Sequence, residues 1–99
     1  AEALLAVEDP RYLAEVLDLT RKVIIEDPDP RAYRAFALVN YKLGRRPQAE
    51  LATAEAYFLE GDIKQAQTFA RRAQIGLKKE ESDWLRANEI VTYKGMAGQ

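Results

Sequence analysis

Two glycines that follow helix-forming runs constrain the fold of this 99-residue chain more than any other feature. Gly44 follows residues 30–43, and Gly61 follows a run that begins at Pro47. Because glycine alone adopts a left-handed backbone at little cost, each glycine is expected to end a helix. Asp62 can then accept hydrogen bonds from the free N–H groups that open the next helix. The chain is therefore predicted to form short helices joined by tight turns.

A stripe of small residues follows in the next predicted helix. Ala66, Ala70 and Ala73 are spaced at i, i+4 and i+7, so they share one face of that helix. Alanine side chains leave room for close approach, and we expect a neighbouring helix to pack against this stripe.

Capping residues and apolar spacing predict five helices. Asp9-Pro10 opens the first helix, and Asp27-Pro28-Asp29-Pro30 ends it and caps the second. The third begins at Pro47, the fourth at Asp62, and Ser82 is expected to cap the fifth. Loops of two to five residues favour antiparallel neighbours, and no strand pattern competes. The sequence therefore predicts an all-α fold.

The predicted domain covers residues 1–93, and residues 94–99 are expected to be a frayed tail. Residues 1–6 are interpreted as the end of a further helix. Apolar residues make up 47% of the chain, which is enough for one core at this length.

Composition excludes several classes of function. The 15 basic and 16 acidic residues are interspersed, which gives no field to attract nucleic acid or an anionic membrane. The chain has no apolar run of 18 residues, so no membrane insertion is predicted. It also has no His and no Cys, so it cannot form His/Cys zinc sites or nucleophile–His pairs. We therefore predict a chain that is not itself an enzyme and has no cofactor of its own.

The order of aromatic, Gly-Asp and spaced alanines in residues 57–73 resembles the tetratricopeptide repeat (TPR). This resemblance implies a TPR-like α-α superhelix, that is, a short right-handed solenoid of antiparallel helix pairs. Arrays of this family bind proteins or peptides, so the chain is predicted to be a protein-interaction module.

The repeat can be counted in two registers. Gly44 and Gly61 are 17 residues apart, which is half of a unit of about 34 residues. Counted from Gly44, the second helix of the chain is the first member of a helix pair. Counted from Gly61, the third helix of the chain is the first member of a pair. Both registers cannot hold in a regular solenoid, so we expect one irregular junction near the third helix.

The first helix of each pair in a TPR array lines its inner surface. The Gly44 register places Arg31, Arg34, Leu38, Tyr41 and Lys42 there, and the Gly61 register places Gln48, Leu51, Glu55 and Phe58 there. The cationic and aromatic members suit an extended peptide with acidic and apolar side chains. The predicted partner contacts are Arg34, Tyr41, Lys42 and Phe58. The alternative that Tyr41 packs beneath the third helix stays open.

A wider resemblance covers about residues 3–93. The segments that carry it are Leu4-Leu5-Ala6-Val7-Glu8-Asp9-Pro10, Ala49-Glu50-Leu51-Ala52-Thr53-Ala54-Glu55-Ala56, Gly61-Asp62 and Asp83-Trp84-Leu85-Arg86-Ala87. In this order they resemble the C-terminal TPR region of bacterial cell-envelope zinc metallopeptidases of the BepA/YfgC kind.

The resemblance implies a soluble, periplasmic module that serves outer-membrane protein quality control. It also implies possible docking to the outer-membrane assembly machinery. Zinc is expected only in a separate peptidase domain that carries His-Glu-x-x-His, because this chain has no His. The alternative is a stand-alone TPR scaffold or adaptor subunit unrelated to proteolysis.

Overall fold

The computed structural model describes residues 10–94 and contains five α-helices in that range. They are α1 (Pro10–Glu26), α2 (Pro30–Lys42), α3 (Arg46–Leu59), α4 (Ile63–Gly76) and α5 (Ser82–Val91). No strand is present between residues 10 and 94, so the predicted all-α fold is confirmed for this part of the chain. The predicted helix end at residues 1–6 lies outside the described residues, as does the predicted tail apart from Lys94.

The turns at the two ends of α3 have the same geometry. After α2, the N–H of Gly44 donates to the carbonyl of Tyr41 at 3.0 Å, and that of Arg45 donates to the carbonyl of Asn40 at 2.8 Å. The equivalent pair of bonds closes α3 at Gly61. Both glycines have a left-handed backbone, with φ of 78° and 83°. The predicted helix ends are confirmed, and each is a Schellman turn.

The connector between α4 and α5 has a less common backbone geometry than the two turns that flank α3, and the irregular junction expected near the third helix stays a prediction. Glu80 in this connector has a φ of 76°, and it is the only non-glycine residue with positive φ among residues 10–94. The prediction that Ser82 caps α5 is wrong. Glu81 occupies the cap position with an extended backbone, and its carbonyl already accepts the N–H of Leu85 at 2.9 Å. Ser82 is therefore the first helical residue, and its hydroxyl does not cap the helix.

Replacing Glu80 with glycine is expected to stabilise the protein by about 0.5–1 kcal/mol. The left-handed conformation costs a side-chain-bearing residue about 1–2 kcal/mol, and the greater freedom of glycine in the unfolded chain offsets part of that gain. Urea denaturation followed by circular dichroism measures the difference. The matched control is Lys79→Gly, which should lose stability because the φ of Lys79 is not positive. A Glu80→Gly variant less stable than the parent would contradict the strain at this position.

Consecutive helices pack antiparallel. Arg34, near the start of α2, reaches Glu60, just past the end of α3. The ring of Pro47, near the start of α3, lies so close to Gly76, at the end of α4, that a Cβ at Gly76 would collide with it. Helix α4 packs in turn on α5, and α3 also packs directly against α5. The chain therefore forms a stack in which α3 contacts α2, α4 and α5.

The core of this stack is built largely from alanine. Ala66, Ala70 and Ala73 have no exposed surface, which confirms the predicted stripe on α4. They form one cluster with Leu51 and Ala54 of α3 and Ala87 and Ile90 of α5. Ile90 is the largest fully buried apolar side chain among the described residues. Small side chains at these contacts allow the three helices to approach closely.

Candidate functional site

A cavity of about 240 Å³ opens among α1, α2, α3 and α5, and we call it the α3 groove. Its apolar lining is Ile24 and Ile25 of α1, Phe36 of α2, and Leu51 and Ala52 of α3. Its polar lining is Arg21, Tyr33, Arg45, Gln48, Glu55, Asp83 and Arg86. Three positions on one face of α3 (Gln48, Leu51 and Glu55) run along the groove, because residues three and four apart share a helix face.

A two-point ion pair between Glu55 and Arg86 ties α3 to α5 beside the groove. Nε of Arg86 donates to Oε2 of Glu55 at 2.6 Å, and Nη2 donates to Oε1 at 2.7 Å. The third nitrogen, Nη1, donates to Glu89 at 3.0 Å, and the guanidinium lies 5.5 Å from the centre of the Phe58 ring. The hydrogen bond to Glu55 is the main reason why the pKa of Arg86 is raised. Glu55 is only 9% exposed, so the pair is structural as well as part of the lining.

Tyr33 brings an unused hydroxyl to the groove. Its pKa is raised, first because the side chain is half-buried and second because the carboxylate of Glu55 is near, while Arg86 acts in the opposite direction. The hydroxyl makes no hydrogen bond with any residue between 10 and 94. It is therefore available to donate to a bound group.

Arg45 is held at the groove by a buried amide. Asn40 is fully buried, and its Oδ1 accepts a hydrogen bond from Nε of Arg45 at 2.9 Å. The amide Nδ2 of Asn40 donates to the carbonyl of Phe36 at 2.8 Å, which fixes the orientation of the amide. Within the described residues, Arg45 forms no ion pair. Its two terminal nitrogens are therefore oriented but have no hydrogen-bond partner among residues 10–94.

The other charged groups of the groove are also weakly engaged. Nη1 of Arg21 lies 4.0 Å from Asp18, at the limit for an ion pair, and its guanidinium lies 5.8 Å from the centre of the Phe36 ring. Asp83 forms no ion pair with any residue of the described part. The groove thus carries polar groups whose bonding capacity the described part of the chain does not use in full.

The four predicted partner contacts lie outside the lining of the α3 groove. Arg34 forms a two-point ion pair with Glu60, at 2.6 and 2.9 Å, and its guanidinium lies 5.0 Å from the centre of the Tyr57 ring. This hydrogen bond lowers the pKa of Glu60. Phe58 is half-buried, and its ring meets the ring of Tyr93 edge-on at 4.8 Å between centres.

Tyr41 and Lys42 are exposed near the end of α2. Tyr41 is 46% exposed, and the guanidinium of Arg46, at the start of α3, lies 5.9 Å from the centre of its ring. Arg34 instead contacts Glu60, beyond the opposite end of α3. The structure does not bring Arg34 and Tyr41 into one space, and their role as partner contacts stays a prediction.

Most of the residues that the Gly61 register places on an inner surface do lie at the α3 groove. Gln48, Leu51 and Glu55 line the α3 groove, whereas Phe58 does not. Arg86 was missed by reasoning from the sequence. The sequence offers one signal for Arg86. This residue directly precedes Ala87, at the edge of the apolar face of α5, where a cation needs a carboxylate as its partner.

The resemblance places zinc in a separate domain rather than in this chain. Among residues 10–94, no group of three or more His, Cys, Asp or Glu side chains is placed to hold a metal ion. The same range contains no helix of the length and apolar character needed to cross a membrane.

Comparison with protein-family models, with curated proteins and with solved structures finds no match to this chain. The interpretation of its function therefore depends on the α3 groove and on the resemblance described above.

Proposed function

We propose that this chain is a non-catalytic, TPR-like protein-interaction module whose α3 groove holds a segment of a partner protein. The observation that carries the proposal is the make-up of the groove. It combines an apolar wall with a hydroxyl, an oriented guanidinium and other charged groups that lack strong partners within the described residues. Binding sites of this kind use the apolar wall for affinity and a few placed polar groups for orientation.

The packing supports a TPR-like superhelix. The helices are antiparallel and joined by repeated Schellman turns, and α3 packs on α5 as well as on its neighbours in sequence. The molecule measures 52 × 26 × 23 Å, which is the elongated outline expected of stacked repeats. Helices α1, α3 and α5 supply most of the groove lining, together with Tyr33 and Phe36 of α2, and this arrangement favours the Gly61 register. In that register α3 and α5 are the first helices of their pairs.

The resemblance extends the proposal to a biological setting. It favours the TPR region of a periplasmic zinc metallopeptidase in outer-membrane protein quality control, with zinc in a separate domain. The groove would then dock the peptidase on the outer-membrane assembly machinery or on its substrates. The reading frame upstream decides between the alternatives. A signal peptide followed by His-Glu-x-x-His supports the peptidase, and a start near Ala1 supports a stand-alone scaffold.

Replacing Ile25 with serine is expected to weaken peptide binding about tenfold. Ile25 lines the groove and is 74% exposed, so the substitution removes apolar contact surface without disturbing the core. Loss of such a contact corresponds to about 1–2 kcal/mol. Peptides selected from a random displayed library on the parent protein serve as ligands. Their dissociation constants are then measured on the variant by fluorescence anisotropy.

The matched control is Ile75→Ser on α4. Ile75 is 87% exposed and lies outside the α3 groove, so this variant should bind the selected peptides as the parent does. Equal loss in both variants, or loss at Ile75 alone, would show that the binding surface is elsewhere. Failure to select any peptide would contradict the function itself.

A further inference from the structure

We infer that the α3 groove selects protein segments that combine an acidic side chain with an apolar one. A carboxylate of the partner would lie at Arg21 and Arg45, and a neighbouring apolar side chain would contact Phe36 and Leu51. This inference rests on the proposed function, because it names the kind of segment that the same groove accepts.

The ion pair beside the groove leaves neither of its members available to a ligand. Glu55 is occupied by two hydrogen bonds from Arg86, and the remaining terminal nitrogen of Arg86 is bonded to Glu89. The pair is also held between two helices, so neither member can turn toward a ligand without breaking it. The other charged groups of the lining have no ion pair shorter than 4.0 Å with a described residue, and they are Arg21, Arg45 and Asp83. Two of them are cations, so the available charge of the groove is positive.

Arg45 is positioned to bind a carboxylate through two hydrogen bonds. A guanidinium can bind a carboxylate through two parallel hydrogen bonds, and this arrangement is stronger when the side chain is already held in place. The bond from Nε of Arg45 to the buried Asn40 holds the guanidinium without using its two terminal nitrogens. Less side-chain entropy is then lost when a carboxylate binds. The neighbouring Gln48 and Tyr33 supply further donors for the backbone of the segment.

The apolar wall favours a ligand that also carries an apolar side chain. Ile24, Ile25, Phe36 and Leu51 come from three different helices and face one cavity of about 240 Å³. This space accepts a large aliphatic or aromatic side chain. A small soluble anion would leave the wall exposed to water, whereas an acidic and apolar segment satisfies both parts of the lining.

Fluorescence anisotropy with four pools of short labelled peptides tests the inference. Each pool is a random mixture of two residue types. The four pairs are Asp/Leu, Lys/Leu, Asp/Ser and Ser/Leu. We expect the Asp/Leu pool to bind most tightly to the parent protein. Arg21→Glu should weaken that binding about tenfold, because it replaces an attraction at the rim by a repulsion. Asp83→Lys should strengthen the binding of the Asp/Leu pool, because it replaces a negative charge of the groove by a positive one.

These two positions are preferred to Arg45 as test sites because Arg45 also stabilises the buried Asn40. The matched control is Arg71→Glu, since Arg71 is exposed on α4 and lies outside the groove. It should leave the affinity for the Asp/Leu pool unchanged at constant ionic strength. Circular dichroism confirms that each variant is folded.

The outcomes separate this inference from the proposed function. Tighter binding of the Lys/Leu pool, reduced by Ile25→Ser, would overturn the acidic preference and leave the groove as a binding site. Equal binding of the Ser/Leu and Asp/Leu pools, with no effect of Arg21→Glu, would also overturn the acidic preference and leave the groove as a binding site. No binding by any pool, or binding that is indifferent to Ile25→Ser, would overturn both proposals.

Discussion

The variant Ile90→Ala is expected to lose about 3 kcal/mol of the free energy of unfolding. Ile90 has no exposed surface and packs from α5 into the cluster of Leu51, Ala54 and the α4 alanines. Most of its neighbours there are alanines, and their short side chains cannot turn into the space that the substitution creates. The cavity should therefore persist, and its cost adds to the lost transfer free energy. For a small domain with about 5–10 kcal/mol of total stability, this is a large fraction.

Urea denaturation measures this loss when it is followed by circular dichroism at 222 nm, where α-helices give a strong negative band. The control is Ile75→Ala, which removes the same atoms from a side chain that is 87% exposed. It should change the stability by no more than about 0.5 kcal/mol. A loss below about 1 kcal/mol for Ile90→Ala would show that α5 does not pack on α3 and α4 as described.

The variant Glu55→Ala is expected to lose about 2–3 kcal/mol. Removing one member of a buried ion pair costs about 3–5 kcal/mol, because the other charge loses its partner. The value is reduced here because the side chain of Arg86 is 38% exposed and keeps its bond to Glu89, so solvent screens part of the interaction. A guanidinium does not deprotonate in proteins at neutral pH, so Glu55→Ala leaves Arg86 as a cation without its main partner.

A double-mutant cycle distinguishes the ion pair from simple loss of packing. If Glu55 and Arg86 act as a unit, the loss in the double variant Glu55→Ala, Arg86→Ala is smaller than the sum of the two single losses. Additive losses would contradict the pair. Glu89→Ala is the control, because its carboxylate is 69% exposed and an exposed ion pair contributes about 0–1 kcal/mol.

The local features of this protein were predictable because each depends on residues within one or two helical turns. Gly44 and Gly61 end helices through their own backbone freedom, and the buried stripe of Ala66, Ala70 and Ala73 follows from helical spacing alone. The start of α5 was misplaced by one residue because Glu80 adopts a left-handed conformation that is rare for glutamate. Nothing in the residue types at this connector indicates it.

The sequence by itself determined that this chain is helical, where α2 and α3 end, and which face of α4 is buried. Only the tertiary structure decided which charges are satisfied and which remain available. Arg34 meets Glu60 from 26 residues away, and Arg86 meets Glu55 from 31 residues away. Such pairs depend on how one helix is rotated and crossed over another, and spacing within a single helix does not contain this information. For the same reason, only the folded chain shows that Arg45 lies beside a groove, with terminal nitrogens that no described residue bonds.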